Sequence, residues 1–261
     1  MLISGNLRRA DTLGIVACLF IVIALSWLYL FNMAADMDAM HLAMPDMSVK
    51  AWDMSYALMM FLMWSIMMVG MMLPSVIPAV LIYQGIVRKA ASEGKTITPT
   101  WIFTGGYLLM WVLFSILACA AQWALDHAAL LSPMMVSTSS TLGAALLICA
   151  GIYQWLPLKN ACLRHCRSPI EFLSSHWQTG NKGALIMGAR HGLYCLGCCW
   201  VLMSLLFLGG VMNLLWIALI TVFVLIEKLL PYGDIGGKLI GLIMVVSGLT
   251  MIVVPGFSFI A

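Results

Sequence analysis

Two stretches of the chain concentrate thiols and imidazoles. One runs Cys162-Leu-Arg-His165-Cys166-Arg167-Ser-Pro169, and the other Arg190-His191-Gly-Leu-Tyr-Cys195-Leu-Gly-Cys198-Cys199-Trp200. On a helix, residues three or four apart share a face. Cys162 then aligns with Cys166, and His191 aligns with Cys195 and with Cys198 or Cys199. Thiolates and neutral imidazoles are ligands for Cu(I) and Zn(II), and pairs from two neighbouring turns can complete a trigonal or tetrahedral site. Cys195 and Cys198 also have the C-x-x-C spacing of a redox dithiol. A third reading is packing, because cysteine is a small apolar side chain. Packing suits Cys18, Cys119 and Cys149, which stand alone in apolar runs. It does not account for five cysteines and two histidines gathered in these two short stretches.

Methionine forms two further groups. The first is Met33-Ala-Ala-Asp-Met37-Asp-Ala-Met40-His41-Leu-Ala-Met44-Pro-Asp-Met47. Thioethers need no deprotonation to bind Cu(I), and His and Asp can accept Cu(II), so Met37, Met40, His41, Met44 and Met47 are candidate ligands. The alternative is an amphipathic interfacial helix that buries its methionines among lipid headgroups. The second group is Met59, Met63, Met67 and Met71, four apart and flanked by Met60, Met68 and Met72. At ~1.5 Å rise per residue these sulfurs make a ladder along one helix. Met63, Met67 and Met71 are its candidate copper ligands, with core packing as the competing reading.

The elements that must position these groups follow from composition. Of 261 residues, 63% are hydrophobic and 9% charged, and the mean hydropathy is +1.04. Too few charges remain for a soluble surface, which excludes a soluble enzyme, a nucleic-acid-binding domain and a disordered chain. Seven apolar stretches are long enough to read as membrane helices: Leu13–Phe31, Met54–Tyr83, Trp101–Leu125, Thr138–Leu156, Ala184–Leu208, Asn213–Leu230 and Lys238–Val254. The first stretch reads as a retained helix rather than a cleaved signal. Pro74 and Pro78 predict a break or kink in the second. The fold class is therefore all-α: a polytopic bundle of about seven helices forming one integral membrane domain over residues 1–261.

Twelve of the 13 Lys and Arg residues fall on one side of such a bundle, leaving Lys50 alone on the other. The positive-inside rule then places the N terminus and the Cys/His region 159–199 in the cytoplasm. The segment 33–53 becomes an extracytoplasmic loop, and the expected location is a bacterial inner membrane. Glu227, beside Lys228 at the cytoplasmic end of the sixth helix, either snorkels or pairs with the metal loops. In the second case it binds an Arg or hydrogen-bonds a ligating His from behind.

Several of these strings resemble the bacterial DUF2182 family, described as predicted metal-binding integral membrane proteins and sometimes labelled copper chaperones. The resemblance is carried by Met67-Met-Val-Gly-Met-Met-Leu-Pro-Ser75 with Pro78 and by Cys162-Leu-Arg-His-Cys-Arg-Ser-Pro169. It continues through Gly192-Leu-Tyr-Cys-Leu-Gly-Cys-Cys-Trp200 to Glu227-Lys-Leu-Leu-Pro-Tyr-Gly233, spanning roughly residues 54–256. It implies metal binding rather than a particular reaction.

The resulting expectation is a membrane protein that handles Cu(I), as a transporter or as a copper chaperone delivering metal to a metalloenzyme or metallochaperone partner. Its surroundings are the lipid bilayer, with no nucleic-acid partner. Zinc is the alternative metal. A membrane thiol oxidoreductase using Cys195 and Cys198 is the alternative activity, and a structural subunit the alternative role. Otherwise no enzymatic step is expected.

Overall fold

All seven apolar stretches form helices. The computed structural model describes residues 2–43, 52–94, 98–132, 135–230 and 233–254, with side chains of the first stretch described from Asp11 onward except at 38 and 40–43. Ten helices and no strand occur among these residues. They are α1 (Leu2–Ala43), α2 (Met54–Ser92), α3 (Thr100–His127), α4 (Ser140–Tyr153), α5 (Pro157–Arg167), α6 (Pro169–Ser175), α7 (Gly180–Ser204), α8 (Leu206–Gly209), α9 (Leu214–Leu229) and α10 (Gly233–Val253).

Among the described residues, five segments are long and apolar enough to cross a membrane: Asp11–Met37, Met54–Ser92, Thr100–His127, Gly180–Gly209 and Gly233–Val253. The 64° bend between α4 and α5 makes a sixth only if both belong to one span. The other apolar helices are short for identifiable reasons. Ser139 caps α4 by accepting from Leu142 N, and Pro157 starts α5 soon after α4 ends at Tyr153. Asn213 caps α9 by accepting from Trp216 N, and its 16 residues reach only about 24 Å, less than the ~30 Å hydrocarbon core. Seven apolar helices thus yield five, or at most six, of spanning length.

The expected loop 33–53 is corrected in its first part. Residues 33–43 continue α1. Between Asn32 and Ala43 the chain is mostly Ala, Met and Leu, strong helix formers, with no Pro or Gly to stop it. Met37 is half-buried on this helix. Met40 and His41 occupy helical backbone positions, and their side chains lie outside the described residues, as do Met44 and Met47 altogether.

Neither Pro74 nor Pro78 breaks α2, which runs through both. Pro74 has no N–H to offer the Gly70 carbonyl four residues earlier. The indole of Trp27 on α1 supplies the missing donor at 3.3 Å. The consecutive helices α1, α2 and α3 alternate in direction. Arg88 near the end of α2 bonds Asp11 near the start of α1 (3.3 Å), while Trp52 before α2 donates to Asp126 near the end of α3 (3.0 Å).

Glycines set the closest crossing, between α3 and α7. A Cβ at Gly106 would collide with the Leu185 carbonyl oxygen, and one at Gly188 with that of Phe103. Small residues let membrane helices pack backbone to backbone in this way. The crossing decides which α3 side chains meet the cysteine stripe of α7.

Candidate thiol site

Gly192 lies one turn beyond Gly188, completing a Gly-x-x-x-Gly face, and the Tyr107 carbonyl and Met110 occupy the space a Cβ there would take. This close approach presses Tyr107 of α3 onto Cys195 of α7. The Tyr107 hydroxyl lies 3.0 Å from Cys195 Sγ and donates to the Met72 carbonyl on α2 at 3.0 Å. Ser75 adds a second donor to that carbonyl at 2.8 Å and stands 3.3 Å from the phenol. Three helices therefore converge on one sulfur.

A fourth brings a cation. Lys228, near the end of α9, is only 5% exposed. Its Nζ donates to Cys195 Sγ at 2.8 Å and reaches Ser75 Oγ at 3.4 Å and Met72 Sδ at 3.9 Å. A buried ammonium requires a compensating charge. The adjacent carboxylate is already taken, since both Glu227 oxygens accept from Lys159 Nζ at 2.6 and 2.8 Å. The nearest complement to Lys228 is Cys195 as a thiolate.

The Lys159–Glu227 pair is buried on both sides and joins α5 to α9. Gln154 also accepts from Lys159. Arg167, at the last turn of α5, donates to the carbonyls of Glu227 (2.9 Å) and Leu230 (2.6 Å) and to Asp234 (3.2 Å). It thereby caps the exposed C-terminal carbonyls of α9. Glu227 therefore pairs with Lys159 through its side chain and with Arg167 through its backbone. No histidine hydrogen-bonds to it among the described residues.

Pinned in this way, α5 lays its cysteines against α7. Cys166 approaches Cys195 and Cys198. Cys162 packs over Gly197, where a Cβ would come within 2.7 Å of its sulfur. The glycine in Cys195-Leu-Gly197-Cys198 is thus the recess that admits α5. His165 is turned elsewhere, stacked on the Tyr194 ring at 4.2 Å with Nδ1 2.9 Å from the Ala161 carbonyl. His191 is buried among the rings of Phe103, Tyr107 and Phe172, and its Nδ1 has no hydrogen-bond partner.

Cys198 and Cys199 are both buried, and each donates its S–H to the Cys195 carbonyl at 3.0 Å. With the thiols engaged in this way, no group of three or more His, Cys, Asp or Glu side chains forms a ready-made metal cage among the described residues. Rotation of Cys198 about χ1 releases its sulfur from that carbonyl. The donor set then suits a soft cation of low coordination number: Cys195, Cys198 and Cys166, with His191 one turn away.

Met60, Met63, Met67, Met68, Met71 and Met72 are all fully buried on α2, a column ending beside Lys228. Met59, expected in the ladder, is 40% exposed and lies on the outer face. At the far end of the column, the buried Gln122 accepts from Trp64 Nε1 (2.7 Å) and donates to Met60 Sδ (3.5 Å). Cys18 and Cys149 are exposed, and Cys119 packs against the core with its thiol directed at the Ala57 carbonyl, so these three stand apart from the cluster.

Sequence reasoning did not single out Tyr107, Ser75 or Lys159, and it left Lys228 without a role. The available signal was ionisable residues in or beside apolar helices, which mark functional sites by default.

A protein-family model described as PpoB2, copper chaperone, matches residues 61–251, which include every residue of the thiol site. No curated protein and no solved structure matches the chain.

Proposed function

The chain belongs to the copper chaperone family, and we propose that it is a membrane-embedded chaperone that holds Cu(I) as cargo on Cys195, Cys198 and Cys166. The observation that carries this reading is that α5 sets the half-buried Cys166 beside the buried Cys195 and Cys198 of α7, one turn from the buried, unpartnered His191 Nδ1. Thiolates bind Cu(I) in two- or three-coordinate geometry, so the three sulfurs suffice and His191 serves as a reserve donor. The buried methionines from Met60 to Met72 offer weaker, exchangeable thioether sites leading to the thiols. The excess of Lys and Arg around the Cys/His region supports a cytoplasmic thiol end in a bacterial inner membrane. On that reading the recipient is a cytoplasmic metallochaperone or a membrane metalloenzyme.

The testing experiment compares metal content with metal flux. Copper bound by the purified, reduced protein with no copper flux in proteoliposomes supports delivery. Flux along with binding turns the reading into transport. Zn(II) retained in place of copper overturns the choice of metal. One observation favours a second reading. Lys228 sits on Cys195 as a cation sits on an activated thiol, with Cys166 and Cys198 available to resolve a disulfide. A trapped mixed disulfide with a partner protein supports that thiol oxidoreductase.

A further inference from the structure

Asn160, Arg164 and Arg167 share one face of α5 by their spacing, while Cys162 and Cys166 share another. The first face borders a cavity of about 380 Å³ between α5 and the first turns of α10, completed by Ser168, Asp234 and Lys238. Three cations there meet one carboxylate. Asp234 is already committed, since it accepts from Arg167 at 3.2 Å. That bond and the donations to the Glu227 and Leu230 carbonyls fix the guanidinium in place, leaving two of its five N–H groups uncommitted. Arg164 and Lys238 are exposed and form no ion pair among the described residues. Asn160 and Ser168 add uncharged hydrogen-bonding groups to the wall.

The excess of positive charge calls for an anion, and guanidinium, ammonium and hydroxyl donors together match the oxygens of a phosphate. The depth of the cavity indicates where that phosphate comes from. α10 is long and apolar enough to cross a membrane, so its first turns lie at headgroup level. Beyond Lys238 its exposed residues Leu239, Leu242, Ile243 and Val246 are apolar, a face on which acyl chains can lie. Basic pockets between membrane helices bind anionic lipid headgroups in this way. We propose that the cavity is a phosphate-binding site for the phosphodiester of an anionic membrane lipid, with Arg164 and Lys238 as its free cations and Arg167 as its fixed one. The bound phosphate bridges α5 to α10 beside the Arg167–Asp234 pair.

The test uses the full-length protein, delipidated in mild detergent and titrated with phosphatidylglycerol, phosphatidylcholine or inorganic phosphate. Native mass spectrometry counts retained lipid, and thermal unfolding reports stabilisation. Wild type retains one phosphatidylglycerol per chain and is stabilised by it, and not by phosphatidylcholine, whose choline cation the site repels. Arg164→Gln/Lys238→Gln alters only exposed side chains and lowers phosphatidylglycerol affinity by about tenfold or more. Lys89→Gln/Lys182→Gln removes two exposed cations outside the cavity and leaves that affinity unchanged. Equal losses in the two double variants reduce the effect to general surface attraction and overturn the site. Wild type that is indifferent to phosphatidylglycerol overturns it as well. Stabilisation by inorganic phosphate without retention of phosphatidylglycerol overturns the lipid source and assigns the cavity to the free anion.

Discussion

Trp27 on α1 donates its indole N–H to the Gly70 carbonyl on α2, the acceptor that Pro74 leaves without its helical donor. One helix thus repairs a defect in another, and the repair lies just before the methionines that lead to Ser75 and the thiol site. Replacing Trp27 by Phe orphans that carbonyl. We expect a loss of about 1–2 kcal/mol of stability in detergent unfolding. The double variant Trp27→Phe/Pro74→Ala recovers most of it, because an alanine in place of the proline supplies the missing backbone N–H. Equal stability of the single and double variants contradicts this assignment.

The buried Lys159–Glu227 pair ties α5 to α9. Removing one partner leaves the other charge stranded, so Glu227→Gln or Lys159→Met costs about 3–5 kcal/mol. The matched replacement Lys159→Met/Glu227→Leu is less damaging than either single change. The readout is a double-mutant cycle in thermal or detergent denaturation, with a coupling near zero counting against the pair.

The α3–α7 crossing admits no side chain at Gly188 or Gly192. Gly192→Leu forces the helices apart, separates Tyr107 from Cys195 and costs about 1–3 kcal/mol by overpacking. Metal retention is expected to fall in the same variant even where the protein still inserts and folds. Unaltered retention shows that the crossing does not position the site.

Cys18, Cys119 and Cys149 contribute nothing to the cluster. Their triple replacement by Ala leaves metal content unchanged, with each exposed position, Cys18 and Cys149, altering stability within about 0.5 kcal/mol. The same triple variant confines thiol labelling to the five remaining cysteines.

Parts of this arrangement were legible from local spacing. Cys195, Cys198 and Cys199 share a helical stripe whatever surrounds them, and Cys162 and Cys166 do likewise on α5. Burial of Met63, Met67 and Met71 also follows the period of their helix. The exposure of Met59 shows what periodicity leaves open, since it gives a stripe but not the direction in which the stripe faces. Tyr107 and Lys228 were not legible, because they stand 88 and 33 residues from Cys195 and meet it only through the packing of separate helices. The Gly188-x-x-x-Gly192 face was the local clue to that packing. Apolar runs marked seven helices without showing that caps and prolines would trim α4 and α9 below spanning length. Likewise, the Met/His/Asp composition of residues 33–47 suggested a loop, whereas helix propensity carries α1 on to Ala43.

The central claim is that Cys195 and Cys198 hold copper. Its most direct test is the copper content of the full-length protein, purified anaerobically under reducing conditions and measured by elemental analysis beside a Cys195→Ser/Cys198→Ser variant. The account predicts stoichiometric copper in the wild type and its loss from the variant. Full retention of copper by the folded double variant would contradict it.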